Sequence, residues 1–160
     1  MRTDEPVSSR GSSEPVTAGE TARAGGCDVR VGVDLAEVAR VGRLLADHPG
    51  GVHELFTPRE IAYCRRKRDQ DVHFAGRFAA KEAVLKALGT GLGPRMRWTD
   101  VEVVNEALGR PVVRLHGEVA ARANRRGLAG IDVSLSHSGP LAIAGVVTVW
   151  TGGGAPCGST

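Results

Sequence analysis

The stretch RFAAKEAVLKALGTG, Arg77 to Gly91, sets Lys81, Glu82 and Lys86 into a run that is otherwise nearly all alanine and aliphatic. Glu82 and Lys86 stand four apart, the spacing of an ordinary Glu-to-Lys pair on a solvated helix face, and the segment alone favours that surface role over chemistry. Asp34 is equally ambiguous. It sits where the strand pattern VRVGVDL gives way to helical spacing, and with Glu37 it forms Asp-x-x-Glu, close to a capping box. His137 ends IDVSLSH on the same side as Ile131, Val133 and Leu135, where a buried, hydrogen-bonded histidine would be unremarkable. Ser134 and Ser136 face the other way, and no G-x-S-x-G elbow surrounds them, so a Ser-His hydrolase has little support.

Two carboxylates and a lysine from separate elements make sense together if they meet around a magnesium ion. Magnesium typically takes one or two protein carboxylates and fills its remaining positions with water and phosphate oxygens. A lysine beside such a site neutralises charge building on a transferring phosphoryl group. The chemistry suggested by Asp34, Glu82 and Lys86 is therefore that of pyrophosphates.

The elements that must position these residues are legible in outline. VRVGVDL alternates Val29, Val31, Val33 and Leu35 against Arg30, Gly32 and Asp34, the period of a half-buried strand. Val38, Val41 and Leu45 then recur on one helical face, with Arg40 and Arg43 away from it, until DHPGG stops the pattern. Thr57-Pro58 predicts an N-cap and first residue of a second helix, which runs into the basic cluster CRRKRDQD. A third helix is expected from about Asp71 to Leu88, ending at Gly89. VEVV, PVVRL, IDVSLSH and LAIAGVVTVW read as four strands, with a short helix EVAARANRRG closing at Gly127. Helices gather early and strands late, so the expected class is α+β with a mostly antiparallel sheet in one domain.

The 160-residue chain suits a single domain, with 41% hydrophobic and 24% charged residues. Residues 1–26, rich in Ser, Gly, Pro, Thr and Glu, read as a disordered extension, 27–150 as the domain and 151–160 as a flexible tail. No apolar run approaches a membrane span and the first thirty residues lack a continuous apolar core of a secretion signal, which leads us to expect a cytoplasmic protein that does not bind membranes. Cys27, Cys64 and Cys157 show neither disulfide nor zinc spacing and are expected to be free thiols. The net charge is +3, and since residues 1–26 hold three basic and four acidic side chains, a balance of −1, the remaining chain carries +4. Arg65, Arg66, Lys67 and Arg68 could suit nucleic acid, a phosphorylated ligand or an acidic protein, although a solvated helix end explains them as well. With 4% aromatic residues there is little on which to stack bases, and no nucleic-acid partner is expected.

GVDLAEVARV, LFTPREIAYC, FAGRFAAKEAVLKALGTG and VSLSHS, in this order, resemble the holo-acyl-carrier-protein synthase family, the short class of phosphopantetheinyl transferases, over about residues 29–149. The resemblance implies magnesium-dependent transfer of phosphopantetheine from coenzyme A to a serine of an apo acyl carrier protein, from fatty-acid or polyketide synthesis, with release of adenosine 3',5'-bisphosphate. It makes Asp34 and Glu82 the metal ligands and Asp34, Glu82 and Lys86 the catalytic group. Arg77, Lys81, Lys86 and His137 become coenzyme A contacts, and Arg40 and Arg43 contacts for the acidic carrier protein. The chain carries one KEAVLKA motif where the larger class carries two related halves, so a homotrimer with interfacial active sites is implied. The rival reading is a non-catalytic basic module that binds an acidic protein or nucleic acid.

Overall fold

The computed structural model describes residues 27–151; the expectations for residues 1–26 and 152–160, including Cys157, lie outside it. Strand β1 (Cys27–Glu37) leads into α1 (Val38–Asp47), a short α2 (Gly51–Leu55), α3 (Pro58–Arg65) and the long α4 (Gln70–Leu88). Then come β2 (Val101–Asn105), β3 (Pro111–Leu115), α5 (Gly117–Arg125), β4 (Leu128–Ser138) and β5 (Leu141–Thr151). Every strand pairing is antiparallel, but the strands form two sheets, β1-β5-β4 and β2-β3, where the sequence suggested one. Thr151, assigned to the tail from sequence, pairs with Cys27 and completes β5.

Local chemistry explains the element boundaries. Thr57 caps α3, its hydroxyl accepting from the Glu60 amide while the Glu60 carboxylate accepts from the Thr57 amide, a reciprocal box worth about 1 kcal/mol. Gly89 ends α4 at φ 66°, a left-handed conformation that costs glycine nothing. Helix α2 was not anticipated, because five residues are too few for a periodic signal.

Helix α4 lies across β1 and β5 and is buried nearly all round: Ala75, Ala79, Ala80, Ala83 and Ala87 are all at 1% exposure or less. Its close seat on β1 depends on Gly32. A Cβ there would overlap the Ala83 carbonyl oxygen and lie 2.7 Å from the Ala87 amide nitrogen, so no side chain fits without separating strand from helix.

This seat reverses the expected facing of β1. Gly32 and Ala36 are buried and Arg30 and Asp34 half-buried toward α4, whereas Val29, Val31, Val33 and Leu35 point away, with Val31 at 65% and Leu35 at 57% exposure. Leu141, Ile143 and Val147 of β5 are exposed as well and belong to the same outer face. The period-2 pattern was read correctly, but the inner surface of the sheet is the one of small residues.

Candidate functional site

Asp34 reaches its position from β1, three residues before Glu37, the residue that caps α1 with no side-chain cap bond. The capping box that could have explained Asp34 is therefore not formed. Its carboxylate instead accepts from Lys86 Nζ at 2.5 Å, and Lys86 also donates to the Val33 carbonyl at 3.2 Å. Glu82, one helical turn before Lys86, shares this corner: burial first, and the Asp34 charge second, push its carboxyl above the usual glutamate range, while Lys86 opposes them. Lys86 is held above the ordinary lysine range chiefly by its hydrogen bond to Asp34. The structure thus brings together Asp34, Glu82 and Lys86 from two elements.

Two carboxylates share this corner, with an ammonium against one of them. Their oxygens are the donor type that magnesium prefers, so the residues present fit such an ion.

Lys81 does not join this group. Its ammonium is 0% exposed, bridged to Glu60 Oε2 at 2.9 Å and donating to the Trp98 carbonyl at 3.0 Å and to the Val101 carbonyl. All three donors are used inside the protein, which leaves none for the expected contact with coenzyme A in this arrangement. Burial lowers its pKa, against the restoring pull of Glu60. Glu60 also accepts from the Val103 amide at 2.9 Å, so its carboxylate joins α3, α4 and β2.

Arg77 and His137, the other two expected coenzyme A contacts, meet at a separate cavity of about 210 Å³, lined also by Tyr63, His73, Asn105 and Pro111. Arg77 is 3% exposed; its Nη2 donates to Asn105 Oδ1 at 2.7 Å, its guanidinium stacks 4.0 Å over the Tyr63 ring, and its buried Nε has no partner. Lys67 lies 4.6 Å over the same ring. Burial, then Arg77, Lys67 and His137, lower the pKa of His73. The Arg77 guanidinium in the cavity wall, with one donor unsatisfied and two histidines beside it, suits a phosphate-bearing ligand. His137 is exposed at the end of β4, so the buried alternative for it does not hold. Tyr63, His73 and Asn105 were not singled out from sequence; the aromatic next to the basic run was the available signal for Tyr63.

On α1, Arg40 and Arg43 are exposed while Val41 packs inward. Arg43 makes only a loose contact with Glu37, at 4.0 Å, so both guanidinium groups are open to a partner. The basic residues 65–68 lie at the exposed end of α3 and beyond it.

Around an ideal helix Arg77 and Glu82 project about 140° apart, so the cationic cavity and the carboxylate corner flank different sides of α4.

Comparison with known proteins identifies the family. The family model described as the 4'-phosphopantetheinyl transferase superfamily matches residues 30–144. The holo-[acyl-carrier-protein] synthase of Geobacter sulfurreducens is 47% identical over 117 residues, 72% of this chain and 93% of that protein. That of Moorella thermoacetica is 44% identical over 116 residues, 72% and 90%. Among solved structures, the Helicobacter pylori holo-[acyl-carrier-protein] synthase in complex with coenzyme A superposes with a TM-score of 0.65 at 28% identity, covering 74% of this chain and 98% of that one. The Neisseria meningitidis enzyme gives 0.69 at 26% identity, covering 74% and 96%. The chain belongs to the holo-[acyl-carrier-protein] synthase family of the 4'-phosphopantetheinyl transferase superfamily.

Proposed function

We propose that the protein transfers phosphopantetheine from coenzyme A to a serine hydroxyl of an apo acyl carrier protein, with magnesium, and releases adenosine 3',5'-bisphosphate. The observation that carries this reading is the convergence of Asp34, Glu82 and Lys86 at the contact between β1 and α4. Magnesium, when bound by Asp34 and Glu82, supplies neutralisation of the pyrophosphate charge.

The chain's own groups account for the proton and the leaving group. The serine oxygen attacks the phosphorus that carries pantetheine, and the bond from that phosphorus to the bridging oxygen breaks. Glu82 accepts the serine proton directly or through a water. Lys86 lies against the departing bisphosphate, where its ammonium offsets the charge developing on the released oxygen. Arg77 and His137 hold the phosphorylated adenosine end of coenzyme A in the cationic cavity, with Tyr63 and His73 as further walls. Arg40 and Arg43 on α1 meet acidic side chains of the carrier and orient it.

We further propose a homotrimer in which the cationic cavity of one subunit faces the carboxylate corner of another. Two features support it. Arg77 and Glu82 diverge around α4, so one protomer offers no single face that presents both. The outer surface of β1 and β5 leaves Val29, Val31, Val33, Leu35, Ile143 and Val147 exposed, an apolar area that a closed assembly would cover at about 1.5–3 kcal/mol for each fully buried aliphatic.

Intact mass of an apo acyl carrier protein, incubated with this protein, coenzyme A and magnesium and with a chelator control, tests the reaction. A gain of one phosphopantetheine that disappears with chelator is the expected result. No gain with several apo carriers would overturn it.

A further inference from the structure

The most thoroughly satisfied charged group in the described residues belongs to neither the carboxylate corner nor the cavity. Lys81 and Glu60 are both 0% exposed and 2.9 Å apart. Glu60 is held by the amides of Thr57 and Val103 and Lys81 by the carbonyls of Trp98 and Val101, so the pair has few alternative arrangements. A buried pair of this kind is a poor source of stability compared with apolar packing of the same volume, and its best-attested use is to select one arrangement among several.

Helix α4 needs such selection. Five of its twelve buried residues are alanines, which resist rotation of the helix about its own axis less than larger side chains do, and Phe74, Val84, Leu85 and Leu88 anchor it by apolar contacts that lack direction. A rotation of about 20° would move the ends of Glu82 and Lys86 by about 2 Å, beyond the roughly 0.5 Å tolerance of a catalytic arrangement. Around the helix, Lys81 lies about 100° to one side of Glu82, and Ala83, whose carbonyl abuts Gly32, about 100° to the other. The residues that would do chemistry are bracketed by one directional polar anchor and one close backbone approach.

We propose that the Glu60–Lys81 pair is a positioning device that locks the rotation of α4 and so sets Glu82 and Lys86 against Asp34. Lys81 acts through its neighbours and touches no substrate. The proposal rests on the transfer reading above only in what is positioned; the anchor itself is read from the fold.

The test replaces both charges together, Glu60→Gln/Lys81→Met, because removing Lys81 alone would strand a buried carboxylate. The double variant is expected to melt cooperatively and to bind coenzyme A within about 10-fold of wild type by calorimetry, since Arg77 and His137 are untouched and only the Lys86 contact is displaced. Its kcat on an apo carrier should fall about 10- to 100-fold, and in its crystal structure Lys86 Nζ should lie more than about 4 Å from Asp34. A folded double variant that keeps the Lys86–Asp34 contact and near-wild-type kcat would overturn the proposal. So would a raised KM for coenzyme A at unchanged kcat, which would return Lys81 to ligand binding. If wild type modified no carrier, the transfer reading would fall, and the Lys86–Asp34 distance in the variant would still decide the positioning role. Should the double variant not fold, Glu60→Asp, which keeps the charge and shortens its reach by one methylene, gives the same opposed outcomes in smaller measure.

Discussion

The Lys86 ammonium and the Asp34 carboxylate lie 2.5 Å apart although 52 positions separate them in the chain. In this arrangement the lysine sits on an oxygen that a metal ion would use, so cation binding and the Lys86–Asp34 contact compete. Lys86→Met should therefore bind magnesium several-fold more tightly by calorimetry without coenzyme A, yet turn over about 100-fold more slowly, having lost an electrostatic stabiliser of the transition state. Unchanged turnover in a folded variant would remove Lys86 from the chemistry. Asp34→Asn should act in the opposite sense on the metal, raising the magnesium concentration for half-maximal activity about 10-fold or more.

Glu82 should show a conflict between activity and stability. Its carboxyl is raised above the usual glutamate range by burial and by Asp34. A group raised in the folded state contributes stability that is present below the unfolded-state pKa and lost as pH climbs through the folded value. Glu82→Gln stays neutral at every pH, so it should melt above wild type at about pH 8 and close to it at about pH 4. Turnover of the same variant should be lower by about 100-fold or more. Thermal melts across pH and the mass assay read the two effects separately.

The proposed division of the site between subunits predicts complementation. Homogeneous Glu82→Gln and Arg77→Ala proteins should each be nearly inactive. Mixed under conditions that exchange subunits, they should recover up to about a quarter of wild-type activity, because a cavity from one can then face an intact carboxylate corner from the other. No recovery in demonstrated hetero-oligomers would place both halves of the site in one protomer. Val31→Glu, on the exposed outer face, should yield monomers by light scattering and abolish turnover.

Charge reversal on α1 should act on encounter with the carrier. Arg40→Glu/Arg43→Glu is expected to raise KM for the carrier about 10-fold or more, leave KM for coenzyme A unchanged and weaken the dependence of kcat/KM on salt. An unchanged carrier KM would return these residues to a solvated helix face.

What the sequence disclosed follows from the range of the forces involved. Thr57-Pro58 and Gly89 are local signals, and they mark the ends of α3 and α4 where expected. The alternation in β1 was equally legible, but period 2 does not say which set of residues faces inward. The usual preference for aliphatics inside failed there because α4 approaches through Gly32 and alanines. The buried state of Lys81 depends on Glu60, 21 positions earlier, and on carbonyls of a segment still further along. Nothing in the spacing of RFAAKEAVLKA reveals that, and the resemblance pointed to the nucleotide instead. The meeting of Asp34 with Glu82 and Lys86 was likewise beyond local pattern; their chemistry made it sensible and the resemblance implied it.

The contact at Gly32 has a genetic consequence. In a saturation-mutagenesis map of the gene, positions that handle substrate are expected to tolerate few changes, and their neighbours more. Gly32 carries no functional group, yet even alanine there would push β1 off α4 and take Asp34 away from Lys86. It should score as intolerant as the acids themselves, and a reader of such a map would count one catalytic residue too many.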